Sequence, residues 1–573
     1  MTTSITKDLF SVYENTQLET YLEYAARTGS AVRYDQLGKK SSGGLPIASY
    51  RDEEGKLNVL FAPESHALVI GSTRSGKTTG YVIPMIMTKA MQKEKSDMFI
   101  TDPKGELYKL CSARLRQQGY RVLLLNFRDY RHSENWNPLT PIYRKYQKAM
   151  HLESTVTTVQ VGSSFYPSFN GKTYKSNKAL QEALQREKQL QLFSVGNDVD
   201  ALCLSTITTE SVKDPYWENS ARQLLQALVY GMLEDSVPET AGSRTLITEE
   251  TFSFRTLMSI YATFNYNKDS TDGDNGYFTN RPDGSLAKQY AVSSIIANGN
   301  VTRMCILSTF NAKMAPYKEV VTNILTCCNS FELDSLADGD KPVAVFVVYR
   351  DESKTSYEAV RQFITATYNK LIEKANEKDE LRLERPFFFI LDEFGNLPPV
   401  QDFDVTISAC GGRNIWFVLV LQSYAQLENN YGKATSLIIK ENLNAHLYFG
   451  TNNPDTKQAF SDECGKRTII SPRSIFRSRK EFVDQMDIEE VRVVPVSKLN
   501  HLATGDCYVT MSNAESVLSS HMERNYLCPE YECEQTKTTT YEPKADVFDN
   551  KYVYKVKKSE GSTGRKKGFS DYL

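Results

Sequence analysis

Residues 66–86 read HALVIGSTRSGKTTGYVIPMI, and no other stretch limits the fold as much. A short apolar run ends in a loop with two glycines, a lysine and two threonines, and the loop opens a helix. GSTRSGKT (71–78) satisfies G-x-x-x-x-G-K-[ST] in full, with a strand before it and a helix after it. In that context the pattern cradles a nucleotide phosphate. The glycines let the backbone curl so that its N–H groups converge, and the helix N-terminus adds its dipole. Gly71, Ser72, Thr73, Arg74, Ser75, Gly76, Lys77, Thr78 and Thr79 are therefore the expected ATP-binding loop. Lys77 is expected at the β- and γ-phosphates and the Thr78 hydroxyl at Mg²⁺.

The surrounding chain alternates strand and helix. Strand signals lie at 57–62, 67–71, 98–102 and 121–127, with helices expected over 77–93 and 104–119. That rhythm means a parallel α/β sheet. It breaks off between about 135 and 335, where mainly helical segments occur, among them 217–236 and 252–264. Polar stretches at 163–190 and 266–285 read as loops or insertions. The rhythm returns at KPVAVFVVY (341–349) and continues through RPFFFILDE (385–393), NIWFVLVLQ (414–422) and HLYFG (446–450). The expected organisation is a polar N-terminal segment (1–50), a nucleotide-binding domain in two parts (51–134 and 336–530), an all-α domain inserted between them (135–335), and a C-terminal basic tail (531–573).

Composition narrows the class. The 573 residues allow two or more domains with real cores. Net charge is −2, so a nucleic-acid partner would need a local basic surface. From Lys551 onward, seven Lys/Arg stand against two Asp/Glu, the composition of a mobile basic tail. The ten cysteines are scattered, without a CxxC pair, and read as reduced thiols. No apolar run approaches the roughly 20 residues that span a bilayer.

Three further motifs carry chemistry. In FFFILDEFGN (387–396) an apolar strand ends in two carboxylates, at the end of a parallel strand where ligands bind. Asp392 is expected to hold Mg²⁺ through its water shell, and Glu393 to polarise the attacking water, which makes a hydrolase and not a kinase. In GGRNIWFVLVLQS (411–423), Arg413 precedes a strand and Gln422 ends it. Arg413 reads as a finger reaching a neighbouring subunit's nucleotide, or as a solvated or DNA-facing arginine. Gln422 reads as a phosphate sensor or as a strand-end hydrogen bond. Asp102 and Lys104, in ITDPKGELY (100–108), lie at the catalytic edge or are simply part of a turn.

Together, GSTRSGKTTG, DPKGEL, DPYWENSARQLLQAL (214–228), LDEFGNLP, GGRNIWFVLVLQSYAQL and HLYFGTNNPDTKQAFSDECG resemble the type IV secretion coupling proteins. These are the TraG-type conjugative DNA-transfer ATPases, relatives of the FtsK and HerA pumps. The resemblance covers roughly residues 55–520. It implies a RecA-like motor domain with an inserted all-α domain, assembled as a homo-hexamer over a channel. It also implies a relaxase bound to single-stranded DNA as cargo and a type IV secretion channel as partner. Lys77, Thr78, Asp392 and Glu393 match the family's motifs, with Arg413 as trans finger and Gln422 as sensor. Pro215 and Trp217 would shape the all-α domain. Arg74 stands where such loops often have Gly, adding a cation near the phosphates. The family usually begins with a transmembrane anchor, and no apolar run in this sequence is long enough to be one. Peripheral attachment to the inner membrane face through a separate anchor protein is the corresponding expectation. A cytoplasmic FtsK/HerA-like translocase and a nucleotide-held docking scaffold are the competing readings.

Overall fold

The apolar runs between 67 and 448 assemble into one sheet because each is buried on both faces. Val343–Val348, Phe387–Leu391 and Ala67–Ile70 are buried at every residue. Strands covered on both sides read as continuous apolar runs, which is why their positions were legible. The computed structural model describes residues 16–40, 43–161, 163–208, 214–264, 273–337, 339–478, 481–512, 514–543 and 549–555. They form two compact units: the described parts of Met1–Arg128 with Glu332–Tyr541, and of Asp129–Phe331 with Glu542–Leu573.

The first unit is built on a ten-stranded sheet. Seven strands are parallel, in the spatial order Arg121–Asn126, Val343–Val348, Asp97–Asp102, Phe387–Leu391, Ile415–Leu421, Ala67–Ile70 and Ala445–Tyr448. Beyond them, Asp506–Met511 pairs antiparallel, then Ser516–His521, and Gln17–Thr20 forms the edge. The strand that carries the glycine-rich loop is thus interior, between Ile415–Leu421 and Ala445–Tyr448. A π-helical turn, Thr78–Val82, leads from the loop into the helix Ile83–Met91, which is buried almost throughout.

The described part of the N-terminal segment, from residue 16, carries regular structure. Gln17–Thr20 is a strand, and a helix, Tyr21–Thr28, follows it directly. Thr20 and Glu23 form a capping box that sets this start. Ala31–Arg33, Leu57–Ala62 and Leu45–Arg51 form a small antiparallel sheet. Lys466–Ser478 and Glu481–Arg492 form a two-stranded antiparallel ribbon.

The second unit is mainly helical, but not all-α. Thr157–Val161, Ser164–Phe169 and Lys172–Thr173 form a three-stranded antiparallel sheet where a loop was expected. The overlooked signal is Asn170-Gly171, with φ of +49° and +73°, a hairpin turn that favours these two residues. The 30-residue helix Asn177–Thr206 follows. Most of its N-terminal half is solvated, so no apolar stripe marks it. Pro215 caps the helix Tyr216–Glu234, and Trp217 packs partly buried on the unit's core.

The polar stretch 266–285 is described from residue 273, and there it is part of the core. Phe278 is buried, and Asp274 accepts from the backbone N–H groups of Phe278 and Thr279 at 2.6 and 3.0 Å. The expected basic tail also differs where it is described. Tyr552 is buried beside Ile324, Cys327 and Cys328, and Tyr554 packs on the helical core. Residues 556–573 lie outside the described residues. Among the described residues, no helix is long and apolar enough to cross a membrane.

Candidate active site

The loop after Ala67–Ile70 is fixed by its two neighbouring strands. Gly71 N–H donates to the Leu421 carbonyl at 3.0 Å, and Ser72 N–H to the Gly450 carbonyl at 2.7 Å. Ser75 N–H donates back to Ser72 O at 3.1 Å and closes the curl. A Cβ at position 71 would meet Ser75 Oγ at 2.3 Å and Lys77 Cγ at 2.9 Å. Gly76 has φ +94°, a conformation open to glycine and strained for other residues. Thr73 and Arg74 are exposed at the tip, with Arg74 at φ +67°.

Lys77 is folded under this curl and 5% exposed. Its ammonium donates to Gly71 O and, at 3.3 Å, to Ser72 O. Burial lowers its pKa, and the negative charges of Glu393 and Asp392 oppose that shift. The lysine is therefore anchored in the centre of the loop, close to both carboxylates.

Asp392 leaves the end of Phe387–Leu391 and is nearly buried. Its Oδ2 lies 3.5 Å from Thr78 Oγ1, and its own carbonyl accepts from Thr101 Oγ1 at 3.0 Å. Burial first, and the adjacent Glu393 second, push its pKa up to about 7. A divalent cation between Asp392 and Thr78 would oppose that shift by favouring the ionised carboxylate. Hard oxygen donors such as this carboxylate and hydroxyl suit Mg²⁺.

Glu393 adopts a left-handed backbone, φ +53°, where the chain leaves the strand for the short turn Phe394–Asn396. Its Oε2 accepts from Gln422 Nε2 at 3.0 Å and from Asn396 Nδ2 at 3.4 Å. Gln426 braces both partners: its Oε1 accepts from Gln422 N–H at 2.7 Å, and its Nε2 donates to Asn396 Oδ1 at 3.3 Å. Thr451 Oγ1 donates to the Gln422 carbonyl at 2.8 Å. The carboxylate of Glu393 is thus oriented by two amides, themselves held by a third.

Lys77, Thr78, Asp392, Glu393 and Gln422 are brought together at one edge of the sheet. Asp102 is at the same edge but turned to another task. It is buried, and its carboxylate accepts from Tyr108 N–H at 2.8 Å, capping the helix Glu106–Gln117. Burial raises its pKa to about 6. Lys104 is exposed, near enough to add a small downward push on Lys77. Arg413 is not brought to this edge. It lies at the opposite end of Ile415–Leu421, donating to Ala409 O at 2.7 Å and Asn376 Oδ1 at 3.2 Å. No motif singles out Asn396 or Gln426, although LDEFGN and LQSYAQ place an amide three residues after Glu393 and four after Gln422. Arg524, which touches Ser75 and Thr79, lies far from any of these motifs in the sequence.

An interior parallel strand, a phosphate-type loop on it and paired carboxylates nearby define a P-loop α/β protein of the RecA-like type. The chain belongs to the type IV secretory system conjugative DNA transfer family, whose model matches residues 24–487. It is 24% identical over 453 residues to the conjugal transfer protein TraG of Escherichia coli, covering 77% of this chain and 61% of TraG. VirD4 of Rhizobium rhizogenes is 19% identical over 428 residues, covering 74% of this chain and 53% of VirD4. The chain therefore spans only part of the length of these relatives. Among solved structures, the bacterial conjugative coupling protein TrwBdeltaN70 shares the fold with a TM-score of 0.57 at 15% identity, covering 89% of this chain and 95% of that one. The plasmid coupling protein TrwB in complex with ADP and Mg²⁺ gives a TM-score of 0.55, also at 15% identity, covering 89% of this chain and 94% of that one.

Proposed function

We propose that this chain is the ATP-hydrolysing coupling protein of a conjugative type IV secretion system, recruiting a relaxase–DNA substrate and driving its transfer. The observation that carries the reading is the convergence of Lys77, Thr78, Asp392, Glu393 and Gln422 at the phosphate loop, in a chain of the conjugative DNA transfer family. The TrwB complexes with ADP and Mg²⁺ and with a non-hydrolysable ATP analogue support the choice of nucleotide and metal.

In this reading the loop N–H groups and Lys77 bind the phosphates. Thr78 and Asp392 hold Mg²⁺, which when bound screens the charge on the phosphate chain. Glu393 orients the attacking water and takes its proton as the bond to ADP breaks. Gln422 aims that carboxylate and reports the γ-phosphate. Arg413 serves the nucleotide of a neighbouring copy in a homo-hexamer. Single-stranded DNA, the relaxase and channel components are the partners, and a separate anchor protein holds the motor at the inner membrane face.

The test measures ATP binding and phosphate release, with and without single-stranded DNA, beside transfer frequency in donor cells. Lys77→Ala should lose binding and turnover. Glu393→Gln should keep binding and lose roughly 10²–10⁴-fold in turnover, the usual contribution of a general base. Both should abolish transfer. Full hydrolysis in Glu393→Gln would remove it as the base, and normal transfer in both variants would refute the coupling role.

A further inference from the structure

Arg524 lies outside every phosphate-loop motif, 445 residues beyond Thr79. It follows Ser516–His521, which lies three strands away from the loop-bearing strand. Met522 is buried, Glu523 N–H donates to Ser49 Oγ at 2.8 Å, and the chain so returns to the loop. There the guanidinium donates from Nη2 to Ser75 O at 2.9 Å and from Nη1 to Thr79 Oγ1 at 3.0 Å. A Cβ at position 76 would fall 1.1 Å from Nη1, and one at position 80 would fall 3.4 Å from Cδ. The arginine therefore occupies space that two glycines leave open.

Its environment is unusual for a fixed charge. Arg524 is only 7% exposed. Both partners are uncharged oxygens, and among the described residues no carboxylate forms an ion pair with it. Its Nε is buried without a hydrogen-bond partner, as is the neighbouring Ser75 Oγ. Buried charges are normally paired, because desolvation is costly without an opposite charge. A guanidinium against a phosphate loop matches the oxygen geometry of one class of anion, the phosphate group.

The position within the loop says which phosphates. Asp392 approaches Thr78, and Gln422 and Glu393 lie on that side. Thr79 is one residue further on in the π-helical turn, so its side chain leaves the axis in a different direction from that of Thr78. We infer that Arg524 is a nucleotide-binding residue: it adds a fixed positive charge to the loop on the side away from the hydrolytic groups, and so serves ADP and ATP alike. The inference rests on the nucleotide reading proposed above.

Equilibrium binding of ADP and of a non-hydrolysable ATP analogue to the full chain tests it, with thermal unfolding measured without nucleotide. A hydrogen-bonded charge commonly contributes enough for R524Q to weaken both nucleotides by about tenfold to a hundredfold, and by the same factor. R524K, which keeps the charge and loses the fork, should fall between. A merely structural clip would lower the unfolding temperature of R524Q and leave its affinity unchanged, which would overturn the inference. If R524Q does not fold, R524K decides, and wild-type affinity in R524K overturns it. A loss confined to the ATP analogue overturns the placement. A wild-type chain that binds neither nucleotide overturns the nucleotide reading and this inference together, whereas unchanged binding in a folded variant overturns this inference alone.

Discussion

Among the carboxylates at the loop edge, Asp392 has its pKa pushed nearest to neutrality. Burial and the neighbouring Glu393 raise its pKa to about 7, while Lys77 opposes them. A cation at Asp392 must displace whatever proton is there, so binding and protonation compete. Above about pH 7 the carboxylate is already ionised and competition vanishes. Below it, each pH unit adds one bound proton's worth of competition, about tenfold. The apparent Mg²⁺ affinity, measured with ADP present, should be level on the alkaline side and fall about tenfold per unit on the acid side. Asp392→Asn should remove the slope along with most of the binding. A flat profile from about pH 5.5 to about pH 7.5 would show that Asp392 is not the ligand that titrates.

The helix Tyr216–Glu234 organises the second unit, and its C-terminal end is its weak point. Glu234 and Asp235 place two carboxylates at the negative end of the helix dipole, an unfavourable position. Arg281 resolves it. Its side chain is fully buried, donating from Nη1 to Glu234 at 2.9 Å and from Nη2 to Asp235 at 2.8 Å, over the Tyr277 ring at 4.7 Å. Arg244 adds a contact to Asp235 at 2.6 Å, and Ser285 Oγ donates to Glu234 at 2.7 Å. Removing one member of a buried ion pair leaves the other uncompensated, typically at a cost of about 3–5 kcal/mol. Arg281→Met should therefore destabilise the helical unit by that order in denaturant unfolding, with nucleotide affinity preserved. A change below about 1 kcal/mol would place the stability of this helix end elsewhere.

For the whole molecule, the decisive feature is the length of one strand. Arg413 and Gln422 flank Ile415–Leu421, and at about 3.3 Å per residue that strand alone holds them roughly 20 Å apart. Arg413 cannot serve the nucleotide of its own chain. As a finger it requires a second copy, which is why a ring is part of the proposal. Hydrolysis should rise faster than linearly with protein concentration. Arg413→Ala and Glu393→Gln should each be inactive, and mixing them should restore part of the activity, because some interfaces then pair an intact arginine with an intact base. Mixed samples that stay inactive would leave Arg413 to its contacts with Ala409 and Asn376.

Local features determined the parallel sheet and the phosphate loop. Apolar strands buried on both faces stand out as unbroken runs, and Gly71 to Thr78 are consecutive, so neither needs distant partners to be recognised. Asp392 and Glu393 were legible for the same reason, as charges at the end of such a run. The strands Asp506–Met511 and Ser516–His521 carried no comparable signal, since they lie near the sheet's edge and include solvated or polar residues. The hairpin around Asn170-Gly171 was written in its turn residues, but its strands are mostly exposed and lack an apolar face. The role of Asp102 as a helix cap depends on where the next helix folds. The bracing of Glu393 by Gln422 depends on strands from two parts of the chain lying side by side. Arg524 shows the limit most clearly: only folding brings it against Gly76 and Thr79, because hydrogen bonds act across space and carry no memory of distance along the chain.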